Sequence, residues 1–224
     1  MFPSVITILI QWPINNCPVR LLPNGAVLFI DKLWIIIYKY NEFKMTPINF
    51  LKTAIKDLKV GAVMPSSKYA VRKILQEIKT GHKCILEYGA GDGVITREIL
   101  KILPKNGRLI AIELNKEFVS HLNKIQDRRL TVIHNDVLNV ISDWKKSGDK
   151  IDLIISGIPF SFFKKSQREA IVRDTHKLLT KKSHFLVYQS SPLILPLLKK
   201  YFAKVKILFE PRNLPPYFIM VAEK

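Results

Sequence analysis

Four short stretches carry the residues able to do chemistry. The first is Glu87-Tyr88-Gly89-Ala90-Gly91-Asp92-Gly93, directly after the apolar run Cys84-Ile85-Leu86. Its glycines allow close approach of a ligand to the backbone and permit φ > 0 without a Cβ clash. Val94, Ile95, Ile99 and Leu100 follow at helical spacing. The stretch therefore reads as a buried strand, a tight turn and a helix N-terminus, whose N–H groups favour a polar or anionic ligand group. The second is Glu113, in the apolar run Leu109–Leu114. A carboxylate at the end of a second buried strand suits the ribose hydroxyls of a nucleoside. The third is Asp136-Val137, after the run Leu130–His134. Asp136 there is either a ligand acid or a helix N-cap. The fourth is Ser156-Gly157-Ile158-Pro159-Phe160, at the exit of a strand beginning at Ile151. In open α/β sheets the ligand lies beyond the carboxyl ends of the strands, so this exit should border the reacting group.

The elements that must position these stretches alternate strand and helix. Ser66 or Ser67 caps a helix carrying Val71, Ile74, Leu75 and Ile78, and Gly81 closes it. Beyond Phe160, a helix is expected over Lys164–Leu179, a strand over His184–Tyr188 and a helix over Ser191–Phe202. Two last strands, Lys204–Glu210 and Tyr217–Glu223, are joined by Arg212-Asn213-Leu214-Pro215-Pro216. Two prolines cannot serve a central ladder, so this joint is a rigid loop.

The spacing also separates two nucleoside ligands. Dinucleotide enzymes use G-x-G-x-x-G/A. Here the third glycine falls one residue early, at Gly93, and Val94 stands where a small residue is needed. The excess of 36 Lys+Arg over 18 Asp+Glu, +18, favours anionic partners, either nucleic acid or an anionic membrane face. Of the two cysteines, Cys17 and Cys84, the latter lies in the first buried strand and reads as a core residue. No disulfide framework or metal-ligand spacing is present, which suits a reducing cytoplasm.

Residues 1–44 form an N-terminal extension without a motif, read either as a membrane-touching segment or as the product of a start earlier than Met45. We expect the second. Residues 45–82 form a helical segment. Within it Phe50, Leu51, Ala54, Ile55 and Leu58 share one helical face and Lys52, Lys56, Asp57 and Lys59 lie off it. Such a helix packs on a core or lies on anionic lipid. Residues 83–224 form the ligand-binding domain.

Glu87-x-Gly89-x-Gly91-x-Gly93 resembles motif I of class I S-adenosylmethionine (SAM) methyltransferases. Val60-Gly61-Ala62-Val63-Met64-Pro65-Ser66-Ser67, Ser156-Gly157-Ile158-Pro159 and the Arg212–Pro216 loop together resemble the bacterial phospholipid N-methyltransferases. That family shares its glycine motif with the ribosomal RNA adenine dimethylases. The resemblance implies an α/β fold: a Rossmann-like sheet of seven strands, the last reversed, with N-terminal helices. It implies that Glu87, Gly89, Ala90, Gly91, Gly93, Glu113, Leu114, Asp136 and Val137 bind SAM. Tyr69 would cover the sulfonium. Ser156, Gly157, Ile158 and Pro159 would frame the acceptor amine, with Ser66, Phe160 and Asn213 at the substrate. It further implies N-methylation of an amino lipid such as phosphatidylethanolamine, at the inner face of the cytoplasmic membrane. RNA adenine is the alternative substrate. Adenine enzymes often carry Asn or Asp and then Pro-Pro and an aromatic where this chain has Ser156-Gly157-Ile158-Pro159.

Overall fold

The computed structural model describes residues 19–21, 27–29, 66–79, 81–147, 151–213 and 215–224. The amphipathic run 47–60 and the question of Met45 lie outside them. The chain divides into two compact units, Met1–Thr53 and Ala54–Lys224. In the first, strands β1 (Val19–Leu21) and β2 (Val27–Phe29) pair antiparallel, with Val19 opposite Phe29.

The second unit begins its described part with helix α1 (Lys68–Gln76), whose first turn is capped by Ser67 Oγ accepting from the Ala70 N–H. Strand β3 (Cys84–Tyr88) is buried along its whole length. Helix α2 (Val94–Ile102), strand β4 (Arg108–Glu113), helix α3 (Lys116–Leu122) and strand β5 (Leu130–His134) follow. Helix α4 (Val137–Ser147), strand β6 (Ile151–Ser156) and helix α5 (Lys165–Leu178) continue the alternation. Strand β7 (Leu179–Gln189), helix α6 (Leu195–Tyr201) and strands β8 (Lys204–Glu210) and β9 (Tyr217–Glu223) close it.

The sheet order is β5-β4-β3-β6-β7-β9-β8. The first five are parallel, whereas β9 runs antiparallel between β7 and β8. Near-continuous apolar sequence in β3, β4 and β6 is what a parallel strand covered on both faces requires. One face packs Val71 and Ile74 of α1 and Ile95 and Ile99 of α2 against Ile85, Leu153 and Ile155. The other packs Val140, Ile171, Val172 and Leu198 against Leu86, Ile154 and Val187. Side chains alternate along a strand, so Glu87 joins Ile85 on the α1–α2 face and Ser156 joins Ile154 on the other.

Four elements differ from the sequence expectation. β7 starts at Leu179, directly after α5, rather than at His184. Between the pairs Ile151–Leu179 and Leu153–His184 the partner strands advance unequally, a bulge, and Lys182 there has φ 67°. The last helix is shorter than Ser191–Phe202, since residues 191–194 form its lead-in and Pro196 sits in its first turn. Helices α3 and α4 lie in stretches whose one sequence signal is the N-cap reading of Asp136.

Candidate functional site

The glycine turn sits at the carboxyl end of the central strand β3. Gly89, Gly91 and Gly93 have φ of 71°, 57° and 81°. A Cβ added at Gly91 would meet no atom within 4 Å, so the space over this residue is open to a ligand. The glycine amides of the turn, however, are already used within the protein. Gly89 and Ala90 donate to the Ile112 carbonyl, Gly93 to the Ala90 carbonyl, Val94 to Asp92 Oδ1 and Gly91 to Glu113 Oε2. Among the described residues the Asp92, Ile95 and Thr96 N–H groups have no acceptor, so donors open to a ligand lie at Asp92 and the first turn of α2 and not at the glycines.

Acids gather around it instead. Glu87 is fully buried; its Oε2 accepts from Thr96 Oγ1 at 2.7 Å and its Oε1 has no partner. Burial, the main cause, pushes its carboxyl up to about 8, against the opposing Thr96 hydrogen bond. Glu113 Oε1 accepts from the Leu114 and Asn115 amides, each at 2.8 Å, and Oε2 from Gly91, also at 2.8 Å. A carboxylate has roughly four acceptor sites, so one is left for a ligand hydroxyl. Leu114 beside it is strongly exposed. Asp136 Oδ1 accepts from the Leu138 N–H at 2.8 Å, which caps the first turn of α4, and Val137 is buried. Glycine amides turned inward, with the Glu113 carboxylate beside them, suit a ligand bearing hydroxyls better than a pyrophosphate.

The exit of β6 is held from behind. The Gly157 N–H donates to the Tyr88 carbonyl at 2.9 Å, and a Cβ at Gly157 would lie 2.7 Å from Tyr188 Cζ. Ser156 is fully buried with an unpartnered hydroxyl, on the sheet face opposite Glu87. Ile158 and Phe160 are buried in the core, and the Phe160 N–H donates to Gln189 Oε1. Pro159 leads into a 3-10 turn, Phe160–Phe162.

The α1 end forms a further wall. Tyr188 and Tyr217 rings lie 5.7 Å apart, and Tyr217 ends the Arg212–Pro216 loop. Asn213 is only 3 % exposed; its Oδ1 accepts from the Ser67 N–H and its Nδ2 donates to the Pro215 carbonyl. Its amide is thus used in tying the loop to α1. Ser66, Tyr69 and Val94 line an open cavity of about 820 Å³ between α1 and α2, beside the glycine turn. The structure thereby gathers Glu87, the glycines and Glu113 in one place, with Tyr69 and Ser66 alongside, and turns the Ser156 hydroxyl away. Sequence reading missed Thr96 and Tyr188. Thr96 is a polar residue on the apolar face of α2, which is a usable signal; nothing local marks Tyr188.

Residues 85–182 match the methyltransferase domain family. The chain is 26% identical to the ornithine lipid N-methyltransferase of Singulisphaera acidiphila, over 70% of this chain and 84% of the relative. The chain is a SAM-dependent methyltransferase, and its sheet has the class I strand order. It is also similar to ribosomal RNA small subunit methyltransferase A of Acidobacterium capsulatum, 34% identical over 46% of this chain and 36% of that one. The fold matches N-methyltransferase NodS of Bradyrhizobium japonicum, solved with S-adenosyl-L-homocysteine, at a TM-score of 0.58 and 11% identity, over 70% of this chain and 88% of that one. The site of this methyltransferase fits its cofactor: open space over Gly91, an unpartnered buried oxygen on Glu87 and spare acceptor capacity on Glu113.

Proposed function

We propose that this methyltransferase transfers a methyl group from SAM to the amine of an amino lipid head group at a membrane surface. The observation that carries the reading is the exit of β6. Adenine-methylating enzymes often carry Asn or Asp there, whose side-chain oxygen holds the base amino group, whereas here Ser156 points its hydroxyl into the opposite face. What remains is a backbone rim, Gly157-Ile158-Pro159, able to accept hydrogen bonds from a small amine. Support also comes from the lipid-methylating relative, most of whose length this chain spans.

When bound, SAM supplies an electrophilic methyl on a positively charged sulfur. The chain's own residues bind, orient and exclude water. Glu87 and the turn from Gly89 to Gly93, including Ala90, hold the methionine half. Glu113 accepts from a ribose hydroxyl, with Leu114 beside it, and Asp136 and Val137 flank the adenine. The Gly157–Pro159 rim, backed by Tyr188, orients the amine. Phe160 and Asn213 shape the acceptor side from beneath, as buried supports. An amine that arrives neutral needs no strong base; one that arrives as an ammonium loses its proton to water or to the lipid's own phosphate. The site works at the cytoplasmic face of the membrane, where the +18 charge meets anionic lipid.

The test is methyl transfer from labelled SAM to two substrates in parallel: vesicles containing phosphatidylethanolamine or ornithine lipid, and undermodified small-subunit RNA. Label in the lipid extract is the expected result. Label in RNA alone overturns the reading and makes the basic surface a phosphate-binding face.

A further inference from the structure

Tyr69 stands out from its surroundings because it carries two cations. It is 39 % exposed, with the Arg212 guanidinium carbon 4.2 Å and Lys68 Nζ 5.3 Å from its ring centroid. Such contacts each contribute modestly, and they leave this ring poorly suited to a third cation such as a sulfonium. The same arrangement is suited to an anion.

Arg212 is anchored and not swinging free. Its Nε and Nη2 donate to the two oxygens of Glu210 at 2.7 and 2.9 Å. Glu210 is fully buried and also pairs with Lys73 at 3.1 Å. The Arg212 hydrogen bonds, with help from Lys73, hold the Glu210 carboxyl down at about 2. One buried carboxylate therefore serves two cations. Among the described residues, Arg212 Nη1 has no partner, and Lys68 and Arg72 are in no ion pair. Lys68, Tyr69 and Arg72 line one open cavity together with Ser66. The chain of contacts Gly157–Tyr188–Tyr217 leads from the acceptor rim to the loop that bears Arg212.

The geometry points to an anion subsite formed by Arg212 Nη1 and Lys68 around Tyr69, which binds the negative group of a zwitterionic lipid head group while its amine lies at the Gly157–Pro159 rim. The inference rests on the lipid reading above. The anion is a phosphodiester in phosphatidylethanolamine or a carboxylate in ornithine lipid; both are singly charged oxygen acceptors near an amine, and both fit a preset guanidinium. Glu210 and Tyr69 act as positioning residues by fixing the guanidinium plane.

The experiment compares three acceptors in neutral phosphatidylcholine vesicles: phosphatidylethanolamine, ornithine lipid and a long-chain primary amine without an anion. A charge-assisted hydrogen bond is worth about tenfold or more. Arg212→Ala should raise KM for the zwitterionic lipid about tenfold relative to the plain amine, with SAM affinity as in the wild type. Lys68→Gln leaves the Glu210 pair intact and should raise it about threefold. The first two acceptors show which anion the site takes. An equal loss on all three acceptors would mean that Arg212 only supports the fold and would overturn the subsite. So would an unchanged KM in both variants. Labelling of RNA and of neither lipid overturns the lipid reading and the subsite together, whereas lipid labelling indifferent to both variants removes the subsite alone.

Discussion

Burial keeps the Glu87 carboxyl protonated up to about pH 8 in the folded chain, against 4.5 when free. The folded state therefore holds an extra proton between these values, and stability falls as pH rises from about 4.5 to 8. Glu87→Gln should flatten that fall, so that the melting temperature of the cofactor-free variant exceeds the wild type's at pH 8.5 and not at pH 4. A melting curve series over pH checks this; parallel profiles would refute it. At Gly91 the risk is the reverse, a folded protein that binds nothing. Its φ of 57° strains any β-branched residue, but the added atoms point into open space. Gly91→Val is expected to keep the far-ultraviolet circular dichroism spectrum and lose SAM affinity by about 100-fold or more, as read by calorimetry.

Among the elements, the exit of β6 has the least room. A Cβ at Gly157 would stand 3.1 Å from the Gly89 carbonyl oxygen and hard against the Tyr188 ring. Gly157→Ala should cost about 1–3 kcal/mol by overpacking and displace the amine rim, lowering kcat more than SAM affinity. Tyr188→Phe/Gly157→Ala relieves the contact with the phenol oxygen and should recover part of the stability in chemical denaturation. The glycine turn is legible in sequence because glycine spacing and the following apolar repeat are local signals. The inward use of its glycine amides is not, since the acceptors Ile112 and Glu113 come from β4, 22 residues further along for the Gly91–Glu113 bond. The bulge in β7 escaped for a similar reason: Thr180–Ser183 reads as a polar loop, and only pairing with β6 makes it strand.

For the whole molecule, a surplus of 18 positive charges predicts salt-sensitive capture by anionic vesicles. Vesicle sedimentation should fall steeply between about 50 and 500 mM salt, roughly the range over which the Debye length shrinks from about 14 to 4 Å, while SAM affinity changes little. Leu51→Asp/Ile55→Asp should weaken sedimentation more than SAM binding if residues 47–60 touch lipid; equal retention of both would leave that run a packing element. Among the described residues no helix is long and apolar enough to cross a membrane.

Local pattern was enough to locate the strand–helix alternation, the glycine turn and the positions of Glu87, Glu113 and Asp136. Each depends on periodicity or on spacing from a strand end. The same signals placed β5, β8 and β9 with the bounds observed. Which way the functional groups face came from the folded chain alone. Alternation along β6 and β3 sends the Ser156 hydroxyl and the Glu87 carboxyl to opposite sides of the sheet, although pairing makes their strands neighbours. Folding also brought Arg212 onto Tyr69, 143 residues away in the chain, by seating the loop before β9 on the start of α1. Such contacts depend on which strand lies beside which, and no local pattern encodes that order.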